Sequence, residues 1–264
     1  MSIYNENIFI KIHMRKVELR KLMKNLYKSG DYYASIEPES NDFEESYHKV
    51  KKDPDGVERN LLDEREYRLS TTRDVSGYLD KIKPGKILDV GCGPGWMLSA
   101  LDDSWEKYGI EVSKFASNYA KKYCKVHNGT LETFREENFD VIIFYHVVEH
   151  LIDPISAIKK INKLLKPGGK LIIGTPDFDS GAARRYESNF RLLHDKTHIS
   201  LFSCDSMHRY LRDHGFKIID VTFPYFETPW FNEKDLLRLF DKDHISPPFY
   251  GSSMTFLCKK IDII

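Results

Sequence analysis

The chain has 264 residues, 40 of them lysine or arginine and 40 aspartate or glutamate, so its formal charge is zero. That balance argues against a dedicated nucleic-acid binder, which carries a strong basic excess. With 41% hydrophobic and 13% aromatic residues, the chain can build a sizeable core in one large domain, or in one domain with a cap. No apolar run approaches the ~20 residues of a membrane span. Cys92, Cys124, Cys204 and Cys258 form no CxxC pair, which argues against a disulfide scaffold or a cysteine-based zinc site. The first ten residues show no secretory leader, so a cytoplasmic protein is expected.

Residues 1–30 are basic, with Lys11, Arg15, Lys16, Arg20, Lys21, Lys24 and Lys28. Ile12, Val17, Leu19, Leu22, Met23 and Leu26 recur near helical spacing, which predicts an amphipathic helix. Such a helix either lies on the main domain or meets a membrane surface or partner. Residues 31–80 turn acidic and read as short helices and loops, so that 1–80 forms a helical cap. From residue 81 the texture is that of an α/β domain. Strands are expected at Ile87–Val90, Tyr108–Val112, Cys124–Val126, Phe139–Tyr145, Lys170–Gly174, Phe216–Thr222 and Met254–Lys259. Helices are expected from Ser113 to about Tyr123, at Pro154–Leu165 and at Asp205–His214. Alternation of this kind makes βαβ units and a parallel sheet, and the two late strands can form an antiparallel edge.

The first strand runs into Asp89-Val90-Gly91-Cys92-Gly93-Pro94-Gly95-Trp96. Glycines there let the backbone turn sharply and approach a ligand, and the helix that follows favours a negative group. Glu111 ends the next strand, where a carboxylate can accept hydrogen bonds from a ribose. A dinucleotide fingerprint would need glycine at Trp96. The spacing Gly91-x-Gly93-x-Gly95 after Asp89 suits an adenosyl cofactor with an amino-acid tail.

The run Ile87–Gly95 resembles motif I of the class I S-adenosylmethionine-dependent methyltransferases. Glu111 matches that superfamily's ribose ligand. Phe139–Ile142, His146–Pro154 and Leu165–Leu171 resemble its fourth-strand and fifth-strand regions. Thr175–Ser180, His198–Ser203 and Gly215-Phe216 resemble a subgroup common in sugar, quinone and natural-product methylation. The likeness covers residues 80–260 and implies a doubly wound, Rossmann-like, seven-stranded, mostly parallel sheet whose last strand is antiparallel. It implies S-adenosyl-L-methionine as cofactor, with S-adenosyl-L-homocysteine as product.

The resemblance also implies residue roles. Gly91, Cys92, Gly93, Gly95 and Trp96 would line the methionine end, and Asp89 would order the turn or meet the cofactor ammonium. Glu111 would take the ribose, and Val112, Thr130 and Leu131 would flank adenine. Tyr145 and His146 would approach the methionine moiety. An oxygen acceptor gains from a base with a pKa near the working pH, and His146 and His198 are the candidates. Tyr32 and Tyr33 would orient the acceptor or glue the cap to the sheet. Substrate would enter over segments 176–203 and 224–251, with Tyr225 as a contact. The expected partner is a small-molecule acceptor, such as a sugar, glycan precursor or sugar nucleotide, and not a nucleic acid.

Two histidine patterns carry other meanings. His146-Val147-Val148-Glu149-His150 fits the H-x-x-E-H pattern of zinc peptidases. It directly follows a strand, so Glu149 and His150 are expected to tie down the following loop, and no metal is expected. His194 and His198 stand four apart, and the expected reading is a loop with one packed or active-site histidine. A zinc-dependent hydrolase through His146 and His150, and a catalytically silent cofactor-binding protein, are the alternatives.

Overall fold

The computed structural model describes residue 60 and residues 64–261, with the backbone of four short strands before them. Those are β1 (Leu26–Ser29), β2 (Tyr32–Ser35), β3 (Lys51–Lys52) and β4 (Glu58–Arg59). Then come α1 (Arg65–Thr71), α2 (Arg73–Leu79), β5 (Lys86–Val90), α3 (Trp96–Ser99), β6 (Glu106–Glu111), α4 (Lys114–Ala120) and β7 (Lys125–Asn128). They are followed by β8 (Phe139–Tyr145), α5 (Pro154–Leu164), β9 (Leu165–Pro176), α6 (Gly181–Tyr186), β10 (Ser200–Leu201), α7 (Cys204–Asp213), β11 (Phe216–Thr222), α8 (Glu233–Leu236) and β12 (Ser253–Lys260).

Seven strands form one sheet in the order β11-β12-β9-β8-β5-β6-β7. The pairs β5–β6, β5–β8, β6–β7 and β8–β9 are parallel, and β12 is antiparallel to both neighbours. This is the expected doubly wound α/β fold. The continuous apolar runs of β5, β8 and β9 follow from burial on both sheet faces. Ile87, Val141, Ile143 and Ile172 point to the side covered by Val75, Tyr78 and Leu79 of α2. Leu88, Ile142, Phe144, Leu171 and Ile173 point to the other, against Ile158 and Ile161 of α5 and Met207 and Leu211 of α7.

The helical reading of residues 1–80 is corrected in part. Residues 65–79 are helical, but the described stretches before them are strands. Leu26, counted above on a helical face, lies in β1, which pairs antiparallel with β2 in the register Leu26↔Ser35 to Ser29↔Tyr32. Only Gly30-Asp31 separates the two strands, a two-residue link led by glycine that favours a hairpin, and Tyr32-Tyr33 has strong strand preference. The helix expected before Leu26 lies outside the described residues. β2 also pairs with β10 through Ala34↔Ser200 and Tyr33↔Leu201, so Tyr33 lies beside the segment that follows His198. The strand expected at Lys170 begins earlier, at Leu165, through an irregularity opposite Phe139 and Val141.

Segments 176–203 and 224–251 share an aromatic core of their own. Phe178, Tyr186, Phe190, Tyr225 and Phe249 are buried there, with Trp230 and Phe231 against them. Tyr225, expected as a substrate contact, is 2% exposed and packs edge-on to Phe231. Among the described residues no helix is long and apolar enough to cross a membrane.

Candidate active site

The glycine turn is fastened to the neighbouring strand. The N–H groups of Gly91 and Cys92 both donate to the Ile110 carbonyl, at 2.8 and 3.0 Å. Gly91, Gly93 and Gly95 have φ values of +75°, +53° and +84°, in the left-handed region that side chains disfavour. A Cβ on Gly91 would also lie 2.5 Å from Val147 Cγ2, so that side chain would have to move. At Gly93 a Cβ would meet nothing within 4 Å. Behind the turn, Gly109 makes room for two sulfurs: its Cβ would fall 2.6 Å from Cys92 Sγ and 3.2 Å from Cys124 Sγ.

Glu111 is brought to the turn as expected. Its Oε2 accepts from the Gly93 N–H and its Oε1 from the Ser113 N–H, both at 2.8 Å. Each carboxylate oxygen can accept a further bond. Val112 beside it is half exposed. Thr130 is exposed, whereas Leu131 is buried in the core. Trp96 is partly exposed, with its ring 5.8 Å from that of Tyr123.

Asp89 is 1% exposed, and neither of its oxygens has a hydrogen-bond partner. Burial, together with the charge of Glu111, pushes its pKa up to about 8, against a small opposing pull from Arg68 of α1. A buried unpartnered carboxyl is costly, and it fits a ligand that brings a cation to the turn. Arg68 was not singled out from the sequence. It acts electrostatically on both Asp89 and Tyr145, and a guanidinium so placed suits a ligand carboxylate. The residues present therefore fit a nucleoside bearing a charged amino-acid tail.

At the carboxyl edge of β8, where ligands bind in open α/β sheets, stand Tyr145 and His146. His146 has φ +53°, which is unusual for a residue with a side chain. Its N–H donates to the Gly174 carbonyl at 2.8 Å. Its Nδ1 lies 2.9 Å from Glu149 Oε1, and Glu149 Oε2 accepts from the Thr175 hydroxyl at 3.0 Å. Glu149 is fully buried. Burial alone would raise its carboxyl, but the His146 hydrogen bond and the neighbouring His146, His150 and His198 prevail and hold it at about 2. With Glu149 ionised, Nδ1 donates its proton to that carboxylate, and Nε2 is left as the ring nitrogen facing away from the pair.

Glu149 and His150 also tie down the later chain. The Glu149 carbonyl accepts from the Ile199 N–H at 2.8 Å, and His150 Nδ1 donates to the Thr197 carbonyl at 2.9 Å. His198 is packed between His150 and Phe178, with Nδ1 donating to the Leu192 carbonyl. Burial pulls its pKa down to about 4, so it is neutral at pH 7. The H-x-x-E-H run is not a helix with two histidines on one face: Val148–His150 is a single 3-10 turn and His146 lies before it. Glu149, His150 and His198 do bring possible ligand atoms within 4.8 Å of one another, and His146 stands outside that group.

Residues 61–221 match the model of a family described as a methyltransferase domain. An O-methyltransferase of Penicillium expansum is 31% identical over 169 residues, which are 57% of this chain and 59% of that protein. A ubiquinone biosynthesis O-methyltransferase of Idiomarina loihiensis is 28% identical over 135 residues, 47% of this chain and 54% of its own. The chain thus spans little more than half the length of these two curated relatives. Among solved structures, a methyltransferase of Haloferax volcanii bound to its Trm112 activator superposes with a TM-score of 0.59 at 15% identity, over 77% of this chain and 93% of that one. An S-adenosylmethionine-dependent methyltransferase of Thermotoga maritima gives 0.54 at 22% identity, over 76% and 96%. At those identities the two structures support the fold.

Proposed function

This chain belongs to the methyltransferase-domain family, and on that premise we propose that it transfers a methyl group from S-adenosylmethionine to an oxygen atom of a small-molecule acceptor. When bound, that cofactor supplies an electrophilic methyl group on a positively charged sulfur. The observation that carries the cofactor reading is the turn itself. Gly93 has a free approach, Glu111 is latched to its N–H, and the buried Asp89 has no hydrogen-bond partner. Glu111 would hold the ribose, Asp89 the ammonium and Arg68 the carboxylate. Val112 would cover one face of adenine.

The observation that supports an oxygen acceptor is the His146–Glu149 pair. Transfer to oxygen leaves a proton to be removed, and transfer from a sulfonium needs no acid for the departing group. Nε2 of His146 would take the acceptor's hydroxyl proton. Glu149, ionised and buried, would hold the ring in the required tautomer and stabilise the imidazolium as it forms. His198, neutral and packed behind Glu149, would position that pair from the rear. The two relatives named above are O-methyltransferases, which agrees with this choice. The acceptor class we favour is a sugar, glycan precursor or related polyhydroxy metabolite, admitted between β2, which carries Tyr32 and Tyr33, and segments 176–203 and 224–251.

The test is a metabolite mixture incubated with isotopically labelled methyl donor and read by mass spectrometry. A labelled O-methyl product that disappears with His146→Ala supports the proposal. Labelled nitrogen products only, or no product at all, oppose it.

A further inference from the structure

Besides those of Asp89, three buried oxygens among the described residues lack hydrogen-bond partners: Oδ1 of Asp74 and the phenols of Tyr145 and Tyr225, of which the first two are close together. Both belong to the same stretch of the sheet's carboxyl edge. Asp74 lies in the first turn of α2, and its Oδ2 accepts from the Thr255 hydroxyl on β12. Thr255 pairs with Gly174 on β9, and Gly174 pairs with Tyr145 on β8. The Tyr145 ring lies against Gly174, where a Cβ would fall 2.4 Å from Cδ2 of the ring and 3.2 Å from Thr255 Oγ1. Tyr145 in turn meets the His146 ring edge-on at 4.5 Å. The Asp74 carboxylate acts electrostatically on both Tyr145 and His146.

A buried oxygen left unbonded is costly, and two close together point to a ligand. The chemistry of the neighbourhood narrows its kind. The proposed cofactor carries two cations, the ammonium of its tail and the sulfonium. Among the described residues two carboxyl groups here have buried, unbonded oxygens, Asp89 under the glycine turn and Asp74 of α2. For methyl transfer to an acceptor held by His146, the sulfur would have to come close to His146, whose ring meets that of Tyr145 edge-on. A sulfonium has no N–H or O–H to donate. It is stabilised by charge and by weak C–H···O contacts from its methyl and methylene groups. Oxygens that serve it need no hydrogen-bond donors of their own.

We propose that Asp74 and Tyr145 form the receptor for the cofactor's sulfonium, so that this chain binds the charged methyl donor in preference to the neutral thioether product. This inference rests on the cofactor reading above. It adds product release to it: once the methyl group leaves, the sulfur loses its charge and the Asp74 contact loses its value.

Calorimetric titration tests it without any acceptor. The intact protein, Asp74→Asn and Tyr145→Phe are each titrated with S-adenosylmethionine, S-adenosylhomocysteine and 5′-methylthioadenosine. The expected result is that Asp74→Asn weakens the sulfonium ligand about tenfold and S-adenosylhomocysteine less than about twofold. Tyr145→Phe, which removes one buried oxygen and keeps the ring, should weaken only the sulfonium ligand, by about threefold. It supplies a second, independent comparison of the sulfonium and thioether ligands if Asp74→Asn does not fold. Equal weakening of both amino-acid-bearing ligands, with 5′-methylthioadenosine unaffected, would give Asp74 to the ammonium and overturn the proposal. Unchanged affinities would make both residues structural and overturn it too. If the unsubstituted protein binds none of the three, the cofactor reading itself fails.

Discussion

Glu149 and His146 stand three positions apart in the chain and 2.9 Å apart in space, one fully buried, the other partly open at the end of β8. The bond depends on the positive φ of His146, which turns the chain back so that a 3-10 turn presents Glu149 to the ring. Backbone strain at a site residue is tolerated where the surroundings over-determine it. Here the Gly174 carbonyl and the Thr175 hydroxyl both help to hold the arrangement.

Glu149→Gln should therefore lower turnover by about 10²-fold and leave S-adenosylhomocysteine affinity within about twofold. The amide removes the charge that favours the imidazolium and keeps the side chain's shape. Steady-state kinetics with an identified acceptor, beside calorimetry, separates the two effects. A proportional loss of cofactor affinity would show that Glu149 only supports the fold.

Acid should destabilise the protein through two buried groups with the same sign. Glu149 is held at about 2 in the folded state. Its contribution is present above the ordinary carboxylate range and is lost as pH falls toward 2. His198 is held at about 4, below its usual value near 6.5. Between those values the unfolded chain binds the proton and the folded one does not, so stability falls as pH drops from 6.5 toward 4. The His198 term is about 3 kcal/mol at most. Melting curves from pH 7.5 to 4.5 should show a shallower acid slope for His198→Gln than for the unsubstituted protein. Parallel slopes would refute the buried neutral histidine.

Cofactor binding should release protons near neutral pH. Asp89 is held up at about 8 by burial and the charge of Glu111, so at pH 7 it is mostly protonated. A cation arriving beside it favours the ionised form, and the proton leaves. Titrations of S-adenosylhomocysteine in phosphate and in Tris should give enthalpies that differ by the buffers' ionisation heats. The difference should vanish by about pH 9 and in Asp89→Asn. Identical enthalpies in both buffers at pH 7 would remove Asp89 from the ligand.

Gly93 and Gly109 should respond differently to alanine. At Gly93 the added methyl meets no protein atom, and only its positive φ is a cost, about 1–2 kcal/mol. Gly93→Ala should fold and lose more than about tenfold in cofactor affinity. At Gly109 the methyl collides with Cys92 Sγ, an overpacking worth about 1–3 kcal/mol. Gly109→Ala should lower the melting temperature more than Gly93→Ala does. A reversed order would mean that the turn is packed differently.

Much of this could be read from the sequence because the relevant signals are local. Short apolar runs alternating with capped helices gave β5 to β9, and the turn with Glu111 needs only neighbouring strands. The hairpin at β1 and β2 is hard to read from periodicity because Leu26 continues a helical spacing that begins at Ile12, and the two-residue link Gly30-Asp31 is a brief signal. Asp74 could not be found, because its meaning depends on Thr255, 181 positions away, across a sheet edge. Arg68 likewise gains a role only once α1 is placed over the turn. The pairing of His146 with Glu149 was present in the spacing, but the same spacing also reads as a zinc motif. The strand that runs directly into His146, its positive φ and the single 3-10 turn after it separate the two.

The measurement closest to the central claim is a calorimetric titration of the intact protein with S-adenosylhomocysteine, repeated for Glu111→Ala. A single site of roughly micromolar affinity, weakened at least about tenfold by the substitution, is the predicted result. No heat and no protection against thermal unfolding at about 1 mM ligand, or binding indifferent to Glu111, would contradict it.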